Sequence, residues 1–185
     1  MPLDNRDEIF QVVDENDNPI GTATRRECHS NPNLIHRGIY VILSDGKGRV
    51  LLQKRSMKKD MNPGVWGVSA GGHCSVGETY EQTAKRETKE ELGISVKLKL
   101  IGKLLLRKGH ESEFDAIFIG KIQNLPRRLD KDEVDDVRFF SLKELKKLKK
   151  SEVVPSFWDV MNHYFVNDIA SGRSDAIGKT LSNKK

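Results

Sequence analysis

At 185 residues, with 36% hydrophobic residues, 32% charged residues and a formal net charge of +5, the chain has the length for one domain built on a single core. No run approaches the roughly 18 apolar residues of a membrane span, and the first residues, Met1-Pro2-Leu3-Asp4-Asn5-Arg6, lack a basic-then-apolar leader, so a cytoplasmic location is the expectation. Two cysteines, Cys28 and Cys74, are too few for a disulfide framework and are read as reduced thiols.

Residues 8–13 read as a strand, Glu15-Asn16-Asp17-Asn18-Pro19 as a turn, and Ile20 to Thr24 as the returning strand of a hairpin. A short helix is expected around Arg25–His29. Gly38 to Leu43 is a β-rich run, Asp45-Gly46-Lys47-Gly48 has tight-turn chemistry, and Val50 to Lys54 returns. Ser56–Gly64 is polar and reads as a loop. Val65 to Ala70 reads as a short strand ending in Gly71-Gly72. Glu78 to Leu92 reads as a helix closed by Gly93, with Thr79 and Gln82 spaced for a capping box. Residues 94–106, 114–122 and 137–140 read as strands. Ser141 opens a Leu142/Leu145/Leu148 helix, and Pro155 to Val166 forms a last one, whose Phe157, Trp158, Met161 and Phe165 read as core.

This order predicts an α/β sandwich with a mixed sheet over residues 1–169, with a hairpin at about 8–24 and a flexible tail at 170–185. The basic excess falls late, on Lys143, Lys146, Lys147, Lys149 and Lys150, with no interleaved aromatics. It reads as a solvated face rather than a nucleic-acid site. An exposed strand edge near the N-terminal hairpin could pair two subunits into a homodimer.

Arg86-Glu87-Thr88-Lys89-Glu90-Glu91 carries the chemistry. Glu87, Glu90 and Glu91 stand at i, i+3 and i+4 and share one face of the helix, where three carboxylates repel one another. A hard divalent cation such as Mg²⁺ offsets that repulsion, and Arg86 can pin a carboxylate with two donors. Ala84, Thr88 and Leu92 form the opposite, packing face. Acid-rich helix faces are common on solvated helices, so the triplet alone does not establish a metal site.

The wider spacing is more specific. Gly72-x5-Glu78-x7-Arg86-Glu87-Thr88-x-Glu90-Glu91-x-Gly93-Ile94 resembles the Nudix box, G-x5-E-x7-R-E-U-x-E-E-x-G-U, with U a bulky apolar residue. Every fixed position is filled, and Thr88 departs at the first U. The resemblance implies an α/β/α sandwich with a loop–helix–loop motif at 72–94. It implies Mg²⁺ or Mn²⁺ on Glu87, Glu90 and Glu91, with the Gly72 carbonyl as a further ligand. Glu78 and Arg86 would hold loop and helix in register, Gly93 would close the helix, and a small-molecule diphosphate would be cleaved by water.

From about Glu8 to Leu148 the chain is similar to the Nudix branch related to isopentenyl-diphosphate isomerase. The carrying residues include Asp14-Glu15, Pro19-Ile20-Gly21, His29, His36-Arg37, Gln53-Lys54-Arg55-Ser56, Pro63-Gly64-Val65-Trp66, Gly72-His73, Glu111-Ser112-Glu113-Phe114 and Asp132-Glu133-Val134. The resemblance places His29, His36, His73, Glu111 and Glu113 at a second metal site, with donors that suit Zn²⁺ or Mn²⁺. Those isomerases use a cysteine directly before the Gly-His step. Gly71 stands there in this chain, and Cys74 lies three residues on. The isomerases also break the Arg-Glu-U-x-Glu-Glu run, which is whole here, so hydrolysis is the expectation. Isomerisation and a non-catalytic binding module are the alternatives. Lys54, Arg55 and Trp66 are candidate substrate contacts. Trp66 and Tyr40 could stack on a planar group, although such residues more often pack.

Overall fold

The structure is a computed structural model that describes residues 5–170. In chain order it contains β1 (Ile9–Val13), β2 (Pro19–Thr24), α1 (Arg25–Cys28), β3 (Ile35–Ser44), β4 (Arg49–Arg55), β5 (Trp66–Gly67) and β6 (Ala70–His73). Then come α2 (Tyr80–Leu92), β7 (Lys99–Arg107), β8 (Ser112–Lys121), β9 (Val134–Ser141), α3 (Leu142–Leu145), a 3-10 turn at Lys150–Glu152 and α4 (Phe157–Ala170).

β3 is the hub of a mixed sheet. β8 runs parallel to it from Ile35↔Ser112 to Ser44↔Lys121, and β6 pairs antiparallel from Gly38↔His73 to Val41↔Ala70. β1 joins its first residues, β2 lies beyond β1 at the edge, and β7 covers the far side of β8. β4 pairs with β9 and, at Gln53↔Gly67, with β5. Strands buried on both faces need apolar residues at successive positions, and that explains the continuous run in β3. Ile39, Val41 and Leu43 face a core shared with Ala84 and Leu92 of α2. Ile42 faces a second core with Phe157, Val160, Met161 and Phe165 of α4. Val50 and Leu52 likewise face the α4 side and Leu51 the α2 side. The result is the expected helix–sheet–helix sandwich, with the α4 aromatics in its core.

Several boundaries differ from the sequence reading: β3 begins at Ile35 rather than Gly38 and β9 at Val134 rather than residue 137. The strand expected over 65–70 is two pieces because the chain changes partner between β4 and β3. Ser69 marks the crossing: its hydroxyl accepts from Leu43 N at 2.8 Å and donates to Leu51 O at 2.7 Å. β7 begins only at Lys99, although Ile94, Val96 and Leu98 already pack on the α2 core. α3 stops at Leu145; the chain then turns so that Val153 can bridge Trp66. Leu148 still packs on the α4 core, outside the helix. α4 runs beyond Val166 to Ala170, and the tail expected to be flexible falls, from residue 171 on, outside the described residues. Among the described residues no helix is long and apolar enough to cross a membrane.

Candidate active site

α2 is fixed at both ends by its own sequence. Thr79 is the N-cap: its hydroxyl accepts from Gln82 N, and the Gln82 side chain accepts from Thr79 N at 2.8 Å. At the other end Gly93 takes φ +64°, and its N–H donates to Lys89 O at 3.0 Å. A Cβ at Gly93 would also press on Arg128 O, so only glycine fits. With the ends set, the phase of the helix is set. Thr83, Ala84, Thr88 and Leu92 point inward, and the Thr88 hydroxyl donates to Ala84 O at 2.7 Å. The polar atom at the U position is thus satisfied within the helix.

The three box glutamates are not equivalent. Their exposures are 14% for the Glu87 side chain, 56% for that of Glu90 and 4% for Glu91. Arg86 organises the outer part. Its guanidinium donates to both oxygens of Glu78 at 2.9 Å, to Glu87 Oε1 at 2.8 Å, to Glu90 Oε2 at 3.0 Å and to His73 O at 3.1 Å. Those two bonds from Arg86 hold the Glu78 carboxyl down at about 2. Glu78 also accepts from Ser75 N and the Thr83 hydroxyl, so loop and helix are locked together. Glu91 instead accepts from Gln53 Nε2 at 2.8 Å. Burial pushes Glu87 up to about 7, with repulsion from Glu90 and Glu133 adding to it, and pushes Glu91 well above the carboxylate range, with repulsion from Glu87 and Glu133 adding to that. Gly72 meets this group with a bare Cα. A Cβ there would lie 2.9 Å from Glu87 Oε2 and closer still to Oε1 and Cδ. A half-buried and a buried carboxylate one helical turn apart, the first seated where a side chain would collide, suit a small hard cation.

Register brings the second cluster together. β3–β8 pairing sets His36 opposite Glu113, and β3–β6 pairing sets Gly38 opposite His73. His29, His36 and His73 each offer a ring nitrogen, all within 4.8 Å of one another. His73 Nε2 is 3.3 Å from His29 Nε2 and 3.2 Å from Glu113 Oε1, and His29 Nδ1 is 3.7 Å from Glu111 Oε2. Arg25 Nη1 lies 3.3 Å from His73 Nδ1. An arginine can only donate, so in the neutral ring Nε2 of His73 carries the proton and faces Glu113. Burial lowers His29 and His73 to about 4 and His36 to about 3. Neither ring nitrogen of His36 nor Glu111 Oε2 has a hydrogen-bond partner, although all are buried. Such orphaned donors and acceptors, in a three-imidazole, two-carboxylate set, fit a borderline metal ion.

A cavity of about 250 Å³ joins the two groups. Its walls include His29, His73, Glu111 and Glu113 on one side and Gly72 and Gln53 on the other, with Glu87 and Glu91 immediately beyond these last two. Arg55 lines it too, with its guanidinium held by Met61 O at 3.0 Å. Lys54 and Trp66 do not line it. Trp66 packs edge-on against Phe140 at 4.9 Å. Tyr40 lines the cavity and bonds Ser156 Oγ at 2.8 Å. Cys74 is fully buried in the α2 core, and burial raises its thiol to about 11.

Asp115 and Lys108 were missed by the sequence reading, and Gln53 and Glu133 were named there only as carriers of the resemblance, without a role. Asp115 is buried against the bare Cα of Gly38, beside the Gly72 carbonyl. Lys108 pairs with Glu113 inside the cavity. Gln53 orients Glu91, and Glu133, paired with Lys59 at 2.7 Å, adds charge near Glu87 and Glu91. The glycines were the available signal: Gly38 and Gly72 mark where carboxylates press on the backbone.

Comparison with known proteins matches residues 34–158 to a family described as NUDIX domain. An isopentenyl-diphosphate Delta-isomerase of Streptomyces avermitilis is 39% identical over 145 residues, covering 74% of this chain and 73% of that protein. An uncharacterized Nudix hydrolase of Listeria monocytogenes is 35% identical over 153 residues, covering 82% and 90%. The crystal structure of a MutT NUDIX hydrolase from Burkholderia pseudomallei superposes with a TM-score of 0.59 at 22% identity, covering 70% of this chain and 97% of that one.

Proposed function

The chain belongs to the NUDIX domain family and is an enzyme of the Nudix class, and from that premise we propose that it hydrolyses a diphosphate linkage in a nucleoside diphosphate derivative or another organic diphosphate. The carrying observation is half-buried Glu87 and buried Glu91, pressed against the bare Cα of Gly72 and the side chain of Gln53.

On this reading Glu87, Glu90 and Glu91, with the Gly72 carbonyl, hold Mg²⁺ or Mn²⁺. Bound divalent ions supply charge neutralisation of the diphosphate and a lowered pKa for the attacking water. The protein does the rest. Arg86 keeps Glu87 and Glu90 at fixed angles while Glu78 anchors Arg86. Gln53 fixes Glu91. Arg55 and Lys108 give the cavity cationic walls for phosphate oxygens. A carboxylate of the acidic group accepts the proton of the water as its oxygen bonds to phosphorus, and the bridging P–O bond breaks, its electron pair leaving with the departing phosphate. His29, His36, His73, Glu111 and Glu113 form a second metal site, and the free edge of β2 is where a second copy would pair.

The 39% identity to an isopentenyl-diphosphate Delta-isomerase and the histidine cluster favour isomerisation as the second reading. Against it, Gly71 occupies the position where the isomerases carry cysteine, and Cys74 is sealed in the core. The test is Mg²⁺-dependent turnover on nucleoside di- and triphosphates, nucleotide sugars, dinucleoside polyphosphates and isopentenyl diphosphate, with wild type and Glu90→Gln side by side. Hydrolysis that collapses in the variant supports the proposal. Turnover that the variant retains refutes the assignment of the box.

A further inference from the structure

We propose that the chain carries a second binding site, for an alkyl phosphate, at the end of the sheet opposite the candidate active site. A cavity of about 380 Å³ opens there between the β3–β4 turn, the end of β8, the segment leading into β7, and helices α3 and α4. From His36 in the first cluster to Ser44 on this cavity, β3 advances eight residues, about 26 Å at ~3.3 Å each. The two sites therefore do not share a wall.

The composition of the lining selects the ligand. Val50, Ile119, Leu145 and Phe165 give an apolar floor. Lys97, Lys99 and Lys121 stand on the rim, all exposed, and among the described residues no carboxylate lines the cavity. Among the described residues none of the three lysines has an ion-pair partner. Acids on neighbouring elements are already engaged. Asp45 holds Arg49 at 2.7 Å and accepts from the backbone of Lys47, and Glu144 caps α3 through Ser141.

Three ammonium groups of one sign on the rim raise the energy of the empty site by mutual repulsion, and the apolar side chains between them offer water in the cavity few hydrogen bonds. A dianionic head on an aliphatic tail relieves both costs at once. The head meets the three lysines, and the tail covers the floor. A mostly apolar concavity with a few convergent polar groups is the general form of a small-molecule site.

The experiment is titration calorimetry of the full-length protein with octyl phosphate, using inorganic phosphate and octanol as controls. The proposal predicts saturable binding of octyl phosphate. It predicts at least about tenfold weaker binding of either control, and at least about tenfold loss in the double variant Lys97→Glu, Lys121→Glu. Arg55→Ala, in the other cavity, should leave the affinity unchanged. The proposal is overturned by no saturable binding up to about millimolar ligand, where affinities of ~4 kcal/mol lie. It is equally overturned by an affinity that ignores the lysine reversals, by inorganic phosphate binding as tightly as the amphiphile, or by binding that disappears with Arg55. This site stands independently of the hydrolase reading, because the readout is binding and not turnover.

Discussion

Gly72→Ala is the sharpest perturbation of the acidic group. The added methyl would sit 2.9 Å from Glu87 Oε2, against about 3.4 Å for ordinary contact, so even the farthest carboxyl atom is 3.4 − 2.9 = 0.5 Å too near and the other two are nearer. Glu87 cannot swing freely, because Arg86 grips its Oε1 at 2.8 Å and the β6–β3 ladder fixes Gly72 opposite Ile39. The carboxylate is therefore displaced by about 1 Å, a shift that costs on the order of 100-fold in rate when a catalytic group is misplaced, or about 2.7 kcal/mol. Overpacking of this kind costs a further ~1–3 kcal/mol of fold stability. Steady-state kinetics across a Mg²⁺ titration, with thermal denaturation in parallel, read both. Gly71→Ala is the control, since its nearest neighbours would be Ile39 O at 3.3 Å and Tyr40 Cδ1 at 3.4 Å, and it should keep activity within a few fold. Unchanged kcat and metal dependence in Gly72→Ala would refute the idea that the bare Cα makes room for the catalytic carboxylate.

Arg86→Lys keeps the charge but loses the planar fork that reaches Glu78, Glu87, Glu90 and His73 O; kcat should fall at least about tenfold with the fold retained by circular dichroism. Thr88→Val removes a hydroxyl already satisfied by Ala84 O, so activity should be unchanged and stability should shift by less than about 1 kcal/mol, as read by urea denaturation. Glu87, raised by burial from 4.5 to about 7 in the metal-free protein, binds its proton more tightly folded than unfolded. Its contribution therefore falls as pH climbs from about 4.5 to about 7, and Glu87→Gln should gain up to about 3 kcal/mol on wild type at pH 8 but little at pH 4, in chelator. His29 and His73, lowered by burial to about 4, act the other way. Their neutral rings favour the fold above the ordinary value of 6.5, and that stability is lost as pH falls through about 4. NMR titration of the metal-free protein should find both rings neutral at pH 6, and a transition near 6.5 would contradict their burial.

The box and the ends of its helix were legible because they are local. Spacing from Gly72 to Ile94, the Thr79–Gln82 capping box and Gly93 all act within a few turns of chain. The inequality of the glutamates was not legible. Helical periodicity sets Glu87, Glu90 and Glu91 on one face, but only the approach of β4, through Gln53, buries Glu91 and leaves Glu90 in water. The gathering of His36, His73 and Glu113 depends on β3 pairing with β6 and β8 at once, and no spacing within the chain encodes that register. The resemblance to the isomerase branch pointed to those positions; the geometry explains why they meet. Asp115 lay hidden for the same reason, in a strand whose alternation shows which face is buried but not what lies across it, and Lys108 lies in the turn between β7 and β8, which no periodicity reads. Lys54 was suggested by its place at the strand end before the loop and Trp66 by its capacity to stack on a planar group, whereas on β4 and β5 they alternate away from the cavity that Gln53 and Gly67 line.

The most direct test of the central reading is product analysis with Mg²⁺ in water labelled with heavy oxygen, offering the turned-over organic diphosphate and isopentenyl diphosphate to wild type and Glu91→Gln. The account predicts cleavage with the label carried on a phosphate product, and loss of that cleavage in the variant. Conversion of isopentenyl diphosphate to its allylic isomer, with no label gained and no phosphate bond broken, would contradict it.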